Sequence, residues 1–194
     1  MIKKVSEMEA FCYDIFMNLY YVRHGKTQGN LEKNYIGRTE SPLVEEGIQG
    51  AITVGKEILS SGLHFDTIYT SSVERQLKTA ELIAQEIGYP ADQIIQNNLL
   101  LERAGGSYEG KPQSEFFAAT EEEQIAGGAE SFKDLASRAV TMVQTAEATH
   151  PNETVLFVGS AAIGEMMRSM IKYNDPTKMF DDGPLPNSEL VRFI

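Results

Sequence analysis

The amino-acid sequence predicts an α/β fold, a three-layer α/β/α sandwich with helices on both faces of a mostly parallel sheet. Two observations lead there. Short runs rich in β-branched, aromatic and leucine residues alternate with longer segments whose apolar residues recur at three and four, and no internal repeat or low-complexity block interrupts them. The strand-like runs are Asn18 to Val22, Thr67 to Thr70, a weaker Ile94 to Leu100, Thr154 to Val158 and Leu190 to Ile194.

The helices fill the gaps between these runs. Ile48, Ala51, Ile52, Gly55, Ile58 and Leu59 share one face, as do Leu77, Ala80, Ile83, Ala84 and Ile87, and Gly62 and Gly88 stand where each should stop. A third helix carries Phe132, Leu135, Ala136, Ala139, Val140, Val143 and Ala146, beginning after Gly127 and Gly128 and ending before Pro151. A fourth runs roughly from Ile163 to Lys172. Between Arg103 and Gly128 only a short helical pattern around Gln113 to Gln124 breaks a glycine-rich loop, and long loops in compact domains commonly serve function.

A chain of 194 residues with 42% apolar content can bury one core, so we expect a single domain over residues 17–194 with residues 1–16 as an N-terminal extension. The apolar-leaning stretch from Phe11 to Val22 is preceded by lysines, but Glu7, Glu9 and Asp14 and the want of a small-residue cleavage site argue against a signal peptide. One cysteine, Cys12, cannot form an intramolecular disulfide, and no window resembles a membrane span, so a reducing, cytoplasmic location is expected. The net charge of −11 argues against a general nucleic-acid or anionic-membrane surface. Any positive charge that handles phosphate must be local.

The chemistry centres on Leu19-Tyr20-Tyr21-Val22-Arg23-His24-Gly25, a buried-type strand that runs into arginine, histidine and glycine, followed by Thr27 and Asn30. At the carboxyl end of a strand in an open α/β sheet, such a cluster faces the crevice where helix N-termini converge, which favours anions. The plain alternative is a pair of surface residues at a strand end. A second junction, Tyr69 to Ala80, again joins strand to helix, and Ser71 and Glu74 have capping-box spacing that would put Arg75 in the first helical turn, beside free backbone donors. Taken alone, that segment could equally be an ordinary capped helix with a solvated arginine.

Together these segments resemble the histidine phosphatase superfamily, also called phosphoglycerate mutase-like. The family's first motif, Arg-His-Gly-x-Thr-x-x-Asn after a strand, matches Arg23 to Asn30. Tyr35 to Gly47 is similar to a Gly-x-x-Asp-x-Pro-Leu-Thr-x-x-Gly stretch, with Gly37, Pro42, Leu43 and Gly47 matched and Glu40 and Val44 in place of aspartate and threonine. Ser71 to Ala80 resembles the family's Ser-Ser-x-x-Arg-x-x-x-Thr-Ala. Leu101-Glu102 with Gly106, Tyr108, Glu109 and Gly110 resembles the acid-bearing segment, and Gly127, Gly128, Glu130, Ser131 and Arg138 the helix that follows. The resemblance runs from about Asn18 to the C-terminus.

The resemblance implies that His24 is a nucleophile that holds the phosphoryl group covalently, its other ring nitrogen fixed by a backbone carbonyl. It also implies that Arg23 and Arg75 clamp the phosphate oxygens, with Asn30 as a neutral donor, and that Glu102 protonates the leaving oxygen and then activates water. Without the family, Glu102 reads as a solvated loop residue. No cofactor is expected. No metal is expected either, since His24, His64 and His150 lack ligand spacing and the latter two read as helix ends or caps.

The family's last motif, strand then Ser-His-Gly-Gly, is broken. Thr154 to Val158 leads into Gly159-Ser160-Ala161-Ala162, so Ser160 falls where the second histidine is expected, a phosphate-binding position at which serine can donate a hydrogen bond but carries no charge. The sequence therefore leaves three functions open. The first is a phosphomonoester phosphatase, possible in attenuated form, acting on a small phosphorylated metabolite. The second is a mutase, disfavoured by the short loop from Arg103 to Gly128. The third is a phosphometabolite-binding protein without turnover, suggested by Ser160. Substrate identity and oligomeric state are not legible.

Overall fold

The computed structural model describes residues 15–194, so Cys12 and most of the expected extension lie outside the described residues. The backbone N–H groups of Phe16 and Met17 donate to the Glu147 carboxylate at 3.1 and 3.0 Å, and the Met17 side chain is buried.

Among the described residues, five strands form one sheet: β1 (Asn18–Arg23), β2 (Thr67–Thr70), β3 (Ile95–Gln96), β4 (Thr154–Gly159) and β5 (Leu190–Arg192), in the order β3-β2-β4-β1-β5. Every neighbouring pair is parallel except β1 with β5. The helices are α1 (Gln28–Glu32), α2 (Glu45–Ser61), α3 (Glu74–Ile87), α4 (Gln113–Ala118), α5 (Glu121–Ala126), α6 (Phe132–Thr149) and α7 (Ala161–Tyr173). Side chains alternate across the central strands as the pleat requires. Leu19, Tyr21, Val155 and Phe157 point into a core shared with α6 and α7, whereas Val22, Leu156 and Val158 point into one shared with α2 and α3. The two cores make the three layers that the alternation implied. Gly62 and Gly88 close α2 and α3 at φ of 74° and 73°, the left-handed region that glycine enters without a Cβ penalty.

Two local expectations are corrected. The Ile94 to Leu100 strand shrinks to Ile95–Gln96, because the Asn97 side chain accepts from Leu99 N at 3.0 Å and turns the chain into a 3-10 helix at Asn98–Leu100. The Ser71 and Glu74 capping box does not form. Val73 is the N-cap of α3, and the Glu40 carboxylate, from a distant loop, accepts the Glu74 N–H at 3.2 Å. A carboxylate there suits the positive end of the helix dipole. The long loop also contains more order than its composition implied, since α4 and α5 both lie within it.

Candidate active site

A cavity of about 680 Å³ opens at the carboxyl ends of β1 and β4, and Arg23, His24, Asn30, Arg75 and Glu102 all line it. Parallel pairing of β1 with β4 carries the chain straight to it: Arg23 registers with Gly159, and His24 N donates to the Gly159 carbonyl at 2.8 Å. Gly25 then passes against Gly47, where a Cβ would collide with the Gly47 carbonyl. Close backbone approach, not a left-handed turn, is what requires glycine here.

His24 is 4% exposed. Its Nδ1 lies 2.8 Å from the Gly25 carbonyl, which can only accept, so Nδ1 carries the proton and Nε2 is unprotonated. Arg75 Nε donates to that Nε2 at 3.3 Å. Burial, then the charges of Arg75 and Arg23, hold the imidazole pKa well below its ordinary value, against the opposing pull of the Gly25 hydrogen bond. The ring favours its neutral form and turns an unprotonated nitrogen toward Arg75.

Arg75 occupies the first turn of α3 and is 2% exposed. Its Nη1 and Nη2 donate to the carbonyls of Thr39 and Gly37 at 2.8 and 2.7 Å, which fixes the plane of the guanidinium. Glu109 in turn organises that loop, accepting from Thr39 Oγ1 and from the N–H groups of Arg38, Thr39 and Gly105. These donors outweigh burial, which acts in the other direction, and leave the Glu109 pKa below its ordinary value. Arg23 Nη1 donates to the Leu185 carbonyl at 2.8 Å, and its buried Nε has no protein partner among the described residues.

Asn30 caps α1 reciprocally with Thr27: its Oδ1 accepts from Thr27 N at 3.1 Å, leaving Nδ2 as the donor available to a ligand. Glu102 accepts from Arg103 N at 2.8 Å and from Ala162 N at 3.0 Å, which seats its carboxylate at the N-terminus of α7. Arg138 holds the segment, donating to the Leu99 and Leu101 carbonyls at 2.6 and 2.7 Å while paired with Glu130 at 2.7 Å.

Ser160 departs from the expected convergence. It is fully buried, it is absent from the cavity wall, and its Oγ accepts from Gln76 Nε2 at 2.6 Å. The side chain of the residue before α7 thus faces the protein interior, and the methyl-bearing Ala161 and Ala162 form the wall instead. His150 caps α6, with its Nε2 2.9 Å from the Tyr69 hydroxyl, far from this site in role. Among the described residues no group of three or more histidine, cysteine, aspartate and glutamate side chains could hold a metal ion, and no helix is long and apolar enough to cross a membrane.

Sequence reasoning missed Glu165 and Arg103. Glu165 lines the cavity from the second turn of α7, 6% exposed, with Oε1 accepting from Leu185 N at 3.1 Å. Burial chiefly, with the neighbouring Glu102 charge, pushes its pKa up to about 7, while the Leu185 hydrogen bond, Arg23 and Arg168 pull it down. A lone acid flanked by Ile163, Met166 and Met167 on a core-facing helix was the available signal. Arg103, only 2% exposed, stacks its guanidinium 4.0 Å from the Phe132 ring centroid, and nothing in its local sequence announces that.

The sequence profile of the histidine phosphatase superfamily (branch 1) matches residues 19–193. A 2,3-bisphosphoglycerate-dependent phosphoglycerate mutase of Brucella ovis is 32% identical over 165 residues, 79% of this chain and 79% of that protein. The same enzyme from Bartonella bacilliformis is 39% identical over 92 residues, 47% of this chain and 45% of its own length, so the match spans about half of that relative. Among solved structures, Bacillus stearothermophilus YhfR superposes with a TM-score of 0.77 at 28% identity, covering 90% of this chain and 89% of that one. A mycobacterial glucosyl-3-phosphoglycerate phosphatase shares the fold with a TM-score of 0.77 at 20% identity, covering 90% of this chain and 90% of that one.

Proposed function

We propose that this chain, which belongs to the histidine phosphatase superfamily, is a phosphomonoester phosphatase that works through a phosphohistidine at His24. The observation that carries the reading is the tautomer of His24: a buried neutral imidazole, its Nδ1 proton held by the Gly25 carbonyl and its Nε2 open to the cationic pocket. Nε2 attacks phosphorus in line, the bond from phosphorus to the ester oxygen breaks, and Glu102 supplies the proton that the departing alkoxide takes up. A water then gives its proton to Glu102 as its oxygen attacks the phosphohistidine, releasing inorganic phosphate and restoring the neutral ring. Arg23, Arg75 and Asn30 Nδ2 hold the phosphoryl oxygens, where fixed donors stabilise the charge of the transition state.

The missing second histidine attenuates this chemistry. Ser160 is engaged with Gln76 and offers the phosphoryl group no donor, a loss worth about 10²- to 10³-fold in rate by analogy with other preorganised donors. That same bond favours the binding-protein alternative, and the phosphoglycerate mutase relatives favour a mutase. A panel of phosphomonoesters assayed for released inorganic phosphate, with His24→Ala as control, tests the three. Slow release that depends on His24 supports the phosphatase. Isomerised phosphoester without release supports the mutase, and tight binding with neither supports the binder.

A further inference from the structure

Phosphoryl transfer uses one end of the cavity and leaves the rest unexplained. Part of its lining is aromatic. Tyr35 stacks on Phe116 with ring centroids 3.8 Å apart, Phe117 packs edge-on to Phe116 at 5.7 Å, and Phe132 meets Phe180 at 6.2 Å. Phe117 and Phe180 line the cavity yet remain 67% and 59% exposed, a cost that a ligand covering them would remove. A volume of about 680 Å³ suits a drug-sized molecule and far exceeds what a phosphate on a three-carbon chain would fill.

Within that lining lies an arginine that Glu102, Glu121 and Glu130 favour at longer range but that no carboxylate contacts directly among the described residues. Arg103 lines the cavity between the Phe132 and Phe116 rings, at 4.0 and 5.2 Å from their centroids, and its Nε donates to the Glu130 carbonyl at 2.7 Å. Its Nη2 is buried without a hydrogen-bond partner among the described residues. Arg38 and Arg138 share the Glu130 carboxylate, whereas Arg103 takes part in no ion pair among the described residues. A buried guanidinium left unpaired is expensive unless something else satisfies it.

We propose that the cavity takes a phosphomonoester whose alcohol is a bulky aromatic or apolar group bearing a second anion, with the phosphate at Arg23, His24 and Arg75 and the second anion at Arg103. The proposal rests on the seat of the phosphate given under the proposed function, but not on turnover. Apolar area covered against Phe117 and Phe180 supplies affinity, and the guanidinium selects among ligands that share that body.

The test is calorimetric titration of the full chain with three non-hydrolysable probes: methylphosphonate, naphthylmethylphosphonate, and naphthylmethylphosphonate with a carboxylate on the distal ring. The naphthyl group should tighten binding about 10-fold or more, and the carboxylate about 10-fold again. Phe117→Ala and Phe180→Ala, both at exposed positions, should shrink the naphthyl increment. Arg103→Met should erase the carboxylate increment alone, and if that buried change prevents folding, the increment in the wild-type chain still decides. Equal affinity for methyl and naphthyl probes overturns the proposal. So does a carboxylate that adds nothing. Failure of the phosphatase reading is seen separately, as tight probe binding without phosphate release from the matching esters.

Discussion

Arg75 Nε and His24 Nε2 lie 3.3 Å apart, so the guanidinium donates to the very nitrogen that would take the phosphoryl group. The arrangement keeps Nε2 unprotonated without a carboxylate partner. When phosphorus occupies Nε2, the same Arg75 hydrogen is free to pass to a phosphoryl oxygen. Burial and the two arginine charges lower the His24 pKa. The nucleophilic form therefore persists as pH falls through the ordinary histidine value of about 6.5, and the acid limb of kcat/KM should lie below it. A pH-rate profile corrected for the substrate's own titration checks this, and a limb at or above 6.5 assigned to His24 contradicts the lowered pKa.

The Arg75 fork is engaged at three points, with His24, Thr39 and Gly37. Lysine offers a single point charge that cannot hold both carbonyls and face the nucleophile. Arg75→Lys should lower kcat about 10²-fold or more with the fold retained. Steady-state kinetics alongside circular dichroism read the outcome, and near-normal kcat would remove Arg75 from the transition state.

Glu165 makes stability depend on pH. Its folded-state pKa of about 7 stands above the ordinary 4.5, so between those values the native chain keeps a proton that the unfolded chain has lost. Stability from this group is complete below about pH 4.5, declines as pH rises, and is lost by about pH 7, with roughly 3 kcal/mol at stake. Glu165→Gln removes the slope, so the variant should gain on the wild type between pH 5 and pH 8. Urea unfolding at those two values measures it, and a constant difference would show that Glu165 ionises normally.

How far the sequence carried can be judged at particular residues. The central strands and the four long helices were legible because apolar periodicity and strand composition agree with the packing that finally forms. Arg23, His24 and Arg75 were legible because each sits at a strand-to-helix junction, whereas Asn30 and Glu102 were singled out through the family motifs, and all five line one cavity. What stayed hidden is set by contacts distant in sequence: Glu40 capping α3, Gln76 holding Ser160, and Arg103 lodged between Phe116 and Phe132. Asn97 also ended β3 through its own side chain, a local competition that strand propensity does not see.

Ser160 points at Gln76, so restoring an imidazole at this position is not a simple gain. Ser160→His alone pushes a ring into a filled interior and should destabilise the chain by about 1–3 kcal/mol. Adding Gln76→Ala vacates the space, and the double variant should recover stability and raise kcat about 10-fold or more if the ring reaches the phosphoryl group. Thermal unfolding and kinetics on both variants separate the effects. A single variant as stable as the wild type would mean that the Ser160 side chain has room beside it.

The central claim is that His24 Nε2 carries the phosphoryl group, and rapid acid-free quenching of the protein during turnover of a labelled phosphomonoester tests it most directly. An acid-labile, base-stable phosphoryl label on His24, lost in His24→Ala along with turnover, is the expected result. Sustained phosphate release with no label at His24, or undiminished release from His24→Ala, would contradict it.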